Sequence, residues 1–293
     1  MKTEIPAELM KTARKAQINE ELGSLIYAFM AKREKVPANK EILEHMSRDE
    51  KSHAKIWKNI TKKKLTPSPI YVSFIKIVTI IMGFTFVVKK MQKSEQLTQD
   101  TYRKLNSVVP ELVKMIDDEH RHEKQLYAML DEDRLHYVGA IVLGLNDALV
   151  ELTGAITGVT FALANNQLIA LTGIITGVSA TLSMAASNYL AEKSAGRDNA
   201  FKASMYTGGA YLIAVVLLVL PYLLLPSDMY IHAFIIMIVT VILIIMFFNY
   251  YLSVAKDKKF LKNFARMAII SLGVAAISFI IGIIAKNLLG LEI

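Results

Sequence analysis

The sequence predicts an all-α protein in two parts, a charged four-helix bundle over residues 1–133 and a five-span helical membrane domain over residues 134–293. Three observations carry this expectation. Charge is uneven: of 34 Lys and Arg and 26 Asp and Glu, 25 and 19 precede Leu135, although the mean hydropathy of the whole chain is +0.37. Seven prolines and long runs with apolar residues at helical spacing point to helices throughout. After Leu135 come five apolar segments, each long enough to cross a bilayer. The chain has no Cys, which excludes disulfides and thiolate metal sites. Its formal charge of +8 is spread along helices without aromatic interleaving, which favours an anionic lipid surface over nucleic acid. The opening residues MKTEIPAELMKTARKAQ lack the apolar core of a signal peptide.

In the first part, Pro6 marks the start of a helix running to about Lys35, and a second covers about Ala38 to Lys63. Pro67 and Pro69 interrupt the chain. A third helix is expected over about Val87 to Leu105, and a fourth from Pro110 to about Leu130. Helix one carries Glu20 with Tyr27 seven residues later; Glu21 is the adjacent alternative. Helix two carries Glu50 and His53, helix three Glu95 with Tyr102 seven later, and helix four Glu119 and His122. Residues three apart project from one helix face. Two Glu-x-x-His helices and two single-Glu helices give the inward-facing ligand set of a carboxylate-bridged di-iron or di-manganese bundle.

Ile70 to Val88 is strongly apolar, but Lys76 interrupts it. If it crossed a bilayer, Glu20, Glu50 and His53 would be separated from Glu95, Glu119 and His122. We therefore read it as the bundle crossover and the start of helix three, either buried in a dimer contact or resting on the membrane surface.

This part resembles the ferritin-like superfamily, and rubrerythrin-type domains most closely, over about Ala7 to Leu130. The resemblance implies iron, or manganese, held by Glu20, Glu50, His53, Glu95, Glu119 and His122, with Tyr27 and Tyr102 as hydrogen-bond donors behind them. Rubrerythrins proper use a cysteine-ligated iron module for electron delivery. This chain has none, which argues against sustained peroxidase turnover.

The five apolar segments lie at about Tyr137–Leu163, Leu168–Leu190, Thr207–Leu225, Tyr230–Leu252 and Ala265–Leu288. Asn165-Asn166-Gln167 and Pro226-Ser227-Asp228 carry no Lys or Arg. The alternate connections carry Lys193, Arg197 and Lys202, then Lys256, Lys258, Lys259, Lys262 and Arg266. The positive-inside rule then places the bundle in the cytoplasm and the C-terminus outside, in a multi-pass cell-membrane protein. The first span carries Asp147 and Glu151, four apart and so on one face, which suggests a cation path. LTGAITGVTFAL (Leu152–Leu163) recurs as LTGIITGVSATL (Leu171–Leu182), with Gly154/Gly158 and Gly173/Gly177 as close-packing pairs. Thr181, Met184, Asn188 and Glu192 form a polar stripe on the second span; a Met in an apolar helix ordinarily packs, but Met184 shares a face with Asn188, which makes it a candidate soft, weak metal ligand and places both on the expected transport path. Spans three to five read as scaffold.

From about Leu135 onward the chain resembles the vacuolar iron transporter family, on GLNDALVELTGAITG and SMAASNYLAEKSAG. The resemblance implies a homodimer that moves Fe2+, and in some members Mn2+, out of the cytosol in exchange for protons. Asp147 matches the family's first-span Asp and Met184 its second-span Met. Glu151 stands where many members have a small residue, so its role rests on spacing alone. Plant-type members insert an acidic helical region after span two; here Ser194 to Tyr206 offers only Asp198, and the upstream bundle is expected to take over metal capture. The domain order also resembles bacterial membrane-bound ferritin exporters. The expected function is metal export, with a membrane-anchored di-iron ferroxidase or peroxidase as the alternative.

Overall fold

The structure, a computed structural model, describes residues 7–83, 86–91, 111–129, 137–256 and 258–289. The chain divides into two compact units, Met1–Glu132 and Asp133–Ile293. The described residues are helical with short connections and contain no strand.

In the first unit, α1 (Ala7–Ala31) and α2 (Pro37–Thr61) form an antiparallel hairpin. Pro37 opens α2, where its missing N–H would have no intrahelical partner in any case. The Glu34 carboxylate accepts from the Lys35 and Val36 amides at 2.7 and 2.8 Å and so holds the turn. Small side chains let the two helices approach. Ser24 Oγ donates to Ser47 O at 2.8 Å, and Ser47 Oγ donates back to Ser24 O at 2.9 Å. At the other end Thr61 Oγ1 donates to Gln17 Oε1 at 2.6 Å. Ala13, Ala16, Trp57 and Met115 bury a common core between α1, α2 and α4 (Glu111–Met129).

The apolar run after Pro69 forms α3 (Pro69–Met82), which packs on α1 and buries Val72, Ile75 and Thr79. It ends at Gly83, whose φ of +88° and ψ of 164° suit only a residue without Cβ. A helical segment resumes at 86–91. At 14 residues α3 is about 21 Å long and too short to span a bilayer. The expected third bundle helix is described only over 86–91; Glu95 and Tyr102 lie outside the described residues.

In the second unit, α5 (Val138–Leu163), α6 (Asn166–Ser194), α7 (Ala200–Leu224), α8 (Tyr230–Ala255) and α9 (Phe260–Leu289) are long and apolar enough to cross a membrane. α5 touches each of the other four, and Leu149, Leu152, Tyr211, Leu218 and Met237 lie at the buried centre. The α5–α6 turn is two residues. Ala164 adopts φ +50°, and Asn165 caps α6 by accepting from the Gln167 and Leu168 amides at 3.0 and 3.2 Å. α7 begins at Ala200 rather than at Thr207, because an apolar run marks the bilayer crossing and a helix can extend beyond it through polar turns.

The repeated glycines are contact points with different partners. A Cβ on Gly154 would stand 2.8 Å from Val274 Cγ1 of α9, and one on Gly282 of α9 would run into the Gly158 carbonyl. In the second copy, a Cβ on Gly177 would run into Val215 of α7. Lipid supplies no hydrophobic force between helices, so such close approach is a main source of their association. Gly282→Ala is therefore expected to lower the thermal midpoint of the detergent-solubilised protein, by about 1–3 kcal/mol of overpacking. Gly273→Ala, where the added methyl meets nothing within 4 Å, should be neutral or stabilising.

Candidate metal centre and ion path

Three bundle helices bring the predicted ligands together. α1 supplies Glu20, α2 supplies Glu50 and His53, and α4 supplies Glu119 and His122. One ligand atom each of Glu20, Glu50, His53 and Glu119 lies within 4.8 Å of the others. His53 Nδ1 is 3.5 Å from Glu20 Oε2 and 3.1 Å from Glu119 Oε1. His122 Nδ1 is 3.5 Å from Glu50 Oε1 and 3.9 Å from Glu119 Oε2. The two imidazole centroids are 6.2 Å apart. Both Nδ1 atoms are buried yet make no hydrogen bond in the structure. Buried ring nitrogens that face carboxylate oxygens without bonding them fit a divalent cation between the two. The donor types suit iron or manganese. Glu20 rather than Glu21 joins the cluster. Tyr27 is buried in the same unit.

The geometry also contains residues that the sequence reading passed over. His122 Nε2 lies 2.9 Å from Asp49 Oδ2, and His53 Nε2 lies 3.4 Å from Asp118 Oδ2. Each histidine is thus backed by the Asp preceding the other helix's Glu. A proton held on Nε2 by that Asp leaves the Nδ1 lone pair for a metal. Arg121 ties the two supports together, 2.9 Å from Asp49 Oδ2 and 2.7 Å from Asp118 Oδ1. The signal was present: the repeat is Asp49-Glu50-x-x-His53 and Asp118-Glu119-x-x-His122, not merely Glu-x-x-His. Trp57 Nε1 donates to Glu20 Oε1 at 3.2 Å. Gly23, one turn after Glu20, leaves room for Glu50: a Cβ there would stand 3.0 Å from Glu50 Oε2.

Without metal the cluster holds its charge through protons. Burial disfavours a charged His53, but the adjacent Glu119 and Glu20 outweigh it and push the imidazole up to about 10. Glu119 is pushed up, first by burial and then by the charge of Glu20. Burial would raise Glu20 too, but His53, Glu50 and Trp57 prevail and hold it below the usual range. A cation that takes these donors must displace protons. A raised histidine contributes its stability in full below its unfolded value and loses it as pH rises through about 10. The metal-free bundle and the loaded bundle therefore have opposite pH trends through the neutral range. In metal titrations of the full chain, Asp49→Asn and Asp118→Asn are expected to weaken Fe2+ or Mn2+ binding by about 10- to 100-fold. Substitution of an exposed α2 residue, Lys51→Gln, should leave affinity unchanged.

In the membrane unit Asp147 is half-buried and Glu151 is exposed, on one face of α5. Tyr211 of α7, fully buried, donates its hydroxyl to Glu151 Oε2 at 3.0 Å. Span three therefore holds a polar partner for the carboxylate pair, contrary to its reading as plain scaffold. Asn188 is 7% exposed, and its Oδ1 is buried without a hydrogen bond. Met184 packs at the edge of the apolar core. Hydrogen bonds and ion pairs among the described residues join neither Met184 nor Asn188 to Asp147 or Glu151. At the end of the stripe, Arg197 Nη1 grips both Glu192 oxygens at 2.8 and 2.7 Å.

Comparison with known families matches each unit separately. Residues 13–103 match the Rubrerythrin family and residues 138–198 match the VIT family. The first match includes Glu20, Glu50, His53 and Glu95 and stops before Glu119 and His122; the second includes Asp147, Glu151, Met184 and Asn188. No curated protein matches the chain. The chain is thus similar to rubrerythrin-type ferritin-like domains in its first unit and to the VIT family over the first two of five helices long and apolar enough to cross a membrane.

Proposed function

We propose that the protein exports Fe2+, and Mn2+ where available, from the cytosol in exchange for protons, with the ferritin-like domain capturing or sensing the metal. The observation that carries this reading is the carboxylate pair on one face of a membrane helix, Glu151 exposed and bonded by Tyr211. A carboxylate facing lipid is destabilising, so this face belongs beside a water-filled path or a second copy of the chain. Asp147 and Glu151 would bind the partly dehydrated ion and give up protons to it, and Met184 and Asn188 on α6 would add softer and neutral donors. A homodimer is the arrangement that encloses such a face. The basic connections between spans two and three and between spans four and five favour a cytoplasmic bundle and an external C-terminus.

In the bundle, Glu20, Glu50, His53, Glu119 and His122 would hold the metal together with Glu95. Iron bound there supplies a redox-active dication. The chain's own part is to desolvate it, to orient the imidazoles through Asp49 and Asp118, and to exchange it against protons. The buried cluster also supports a second reading, a membrane-anchored ferroxidase in which the spans serve only as an anchor. The Asp147–Glu151 pair weighs against it, since an anchor has no use for ionisable groups.

Metal uptake into sealed proteoliposomes separates the two. Asp147→Asn and Glu151→Gln are each expected to lower Fe2+ flux by about tenfold or more, a barrier change of about 1.4 kcal/mol. Tyr211→Phe, which keeps both carboxylates, should reduce flux by about two- to tenfold, the worth of one hydrogen bond. Wild-type flux in both carboxylate variants removes the path assignment. Rapid Fe2+ oxidation with no metal entry establishes the anchored enzyme.

A further inference from the structure

We propose that α3 is a membrane-surface helix that lays the ferritin-like domain onto the bilayer. The helix is two-faced. Val72, Ile75 and Thr79 are buried in the unit. On the other side Ile70, Phe74 and Ile77 are 83%, 56% and 54% exposed, flanked by Tyr71 and Ile81. Positions 70, 74, 77 and 81 fall at the i, i+4, i+7, i+11 spacing of a single helical stripe. An unbroken stripe of this kind on a water-facing surface marks an interaction site.

The charge around the stripe identifies its occupant. Residues 62–91 carry Lys62, Lys63, Lys64, Lys76, Lys89 and Lys90 and no Asp or Glu. Lys62, Lys63 and Lys64 are exposed directly before the helix. Lys76 on α3 is only partly exposed, with its ammonium 5.5 Å from the Phe29 ring centroid. Exposed apolar side chains in a lysine-bearing run that contains no acidic residue match an acyl boundary beneath anionic headgroups. A second copy of the same basic face would bring like charges together. The same chain carries five helices long and apolar enough to cross a membrane, so a bilayer is the surface this chain itself would meet. α3 is too short to cross, and Gly83 ends it before the apolar run could be prolonged.

The attraction of a lysine to an anionic surface falls off within a Debye length. Contact should therefore depend on both anionic lipid and ionic strength. The docking needs no transport activity and stands apart from the export reading.

The absence of native Cys makes the test direct. Phe74→Cys and Ile77→Cys, each labelled with bimane, are compared with Lys51→Cys on the exposed face of α2, all in the full chain in nanodiscs containing phosphatidylglycerol and doxyl lipid. Quenching at 74 and 77 should exceed that at 51 by about threefold or more, and should fall when the nanodiscs contain only zwitterionic lipid. Equal quenching at the three positions overturns the proposal. So does weak quenching at 74 combined with disulfide cross-linking of two Phe74→Cys chains, which would make the stripe a contact between copies. Metal binding by each labelled variant, measured in parallel, verifies that the bundle is folded.

Discussion

A charge taken out of water needs a partner, and both units are arranged around that constraint. In the bundle, Glu20, Glu50 and Glu119 surround two histidines in a nearly dry interior. Like charges at such separations are tolerable only with protons or a metal ion among them. The helices are held at the required spacing by small-residue contacts, the Ser24–Ser47 pair and Gly23, and by Trp57 packed beside Glu20. In the membrane unit the same constraint applies to Glu151, whose described partner is the buried Tyr211 hydroxyl.

The supports behind the histidines fix how the imidazoles are oriented in the bundle cluster. Asp49 and Asp118 each come from the helix opposite the imidazole they hold, so α2 and α4 are registered against each other by two reciprocal contacts. Arg121 bridges both carboxylates and neutralises part of the charge they add. A shift of one helix along the other would break both contacts together. Ligand geometry and helix register are thus set by one set of interactions, which accounts for a cluster this polar inside a small bundle.

Much of this was legible in the sequence, because periodicity and charge report directly on which faces are wet. The five apolar spans follow from hydropathy and helical spacing, and the repeated Glu and Glu-x-x-His pattern pointed to Glu20, Glu50, His53, Glu119 and His122 as one inward-facing set; the break at Gly83, inside a run read as one crossover, did not follow from either. The Asp–His supports were harder to read. An Asp beside a Glu is ordinarily an exposed acid, and its role emerges only when the opposite helix is placed. Tyr211 was hidden for a similar reason: a tyrosine in an apolar span reads as packing, and its hydroxyl gains meaning from a carboxylate on another helix. The glycine repeat shows the limit most clearly. Two nearly identical stretches, Leu152–Leu163 and Leu171–Leu182, pack against different helices, so sequence identity identified close contacts without naming partners.

The two units place a buried carboxylate–histidine cluster and an intramembrane carboxylate pair on one chain, and the proposed proton-coupled metal export would unite them. The most direct test is a simultaneous record of metal entry and luminal pH in proteoliposomes containing the full chain, with an imposed proton gradient as the only driving force. Antiport predicts Fe2+ accumulation above equilibrium, accompanied by proton efflux and abolished when an ionophore collapses the gradient. Accumulation that persists without the gradient, or luminal pH that stays constant as iron enters, would contradict it.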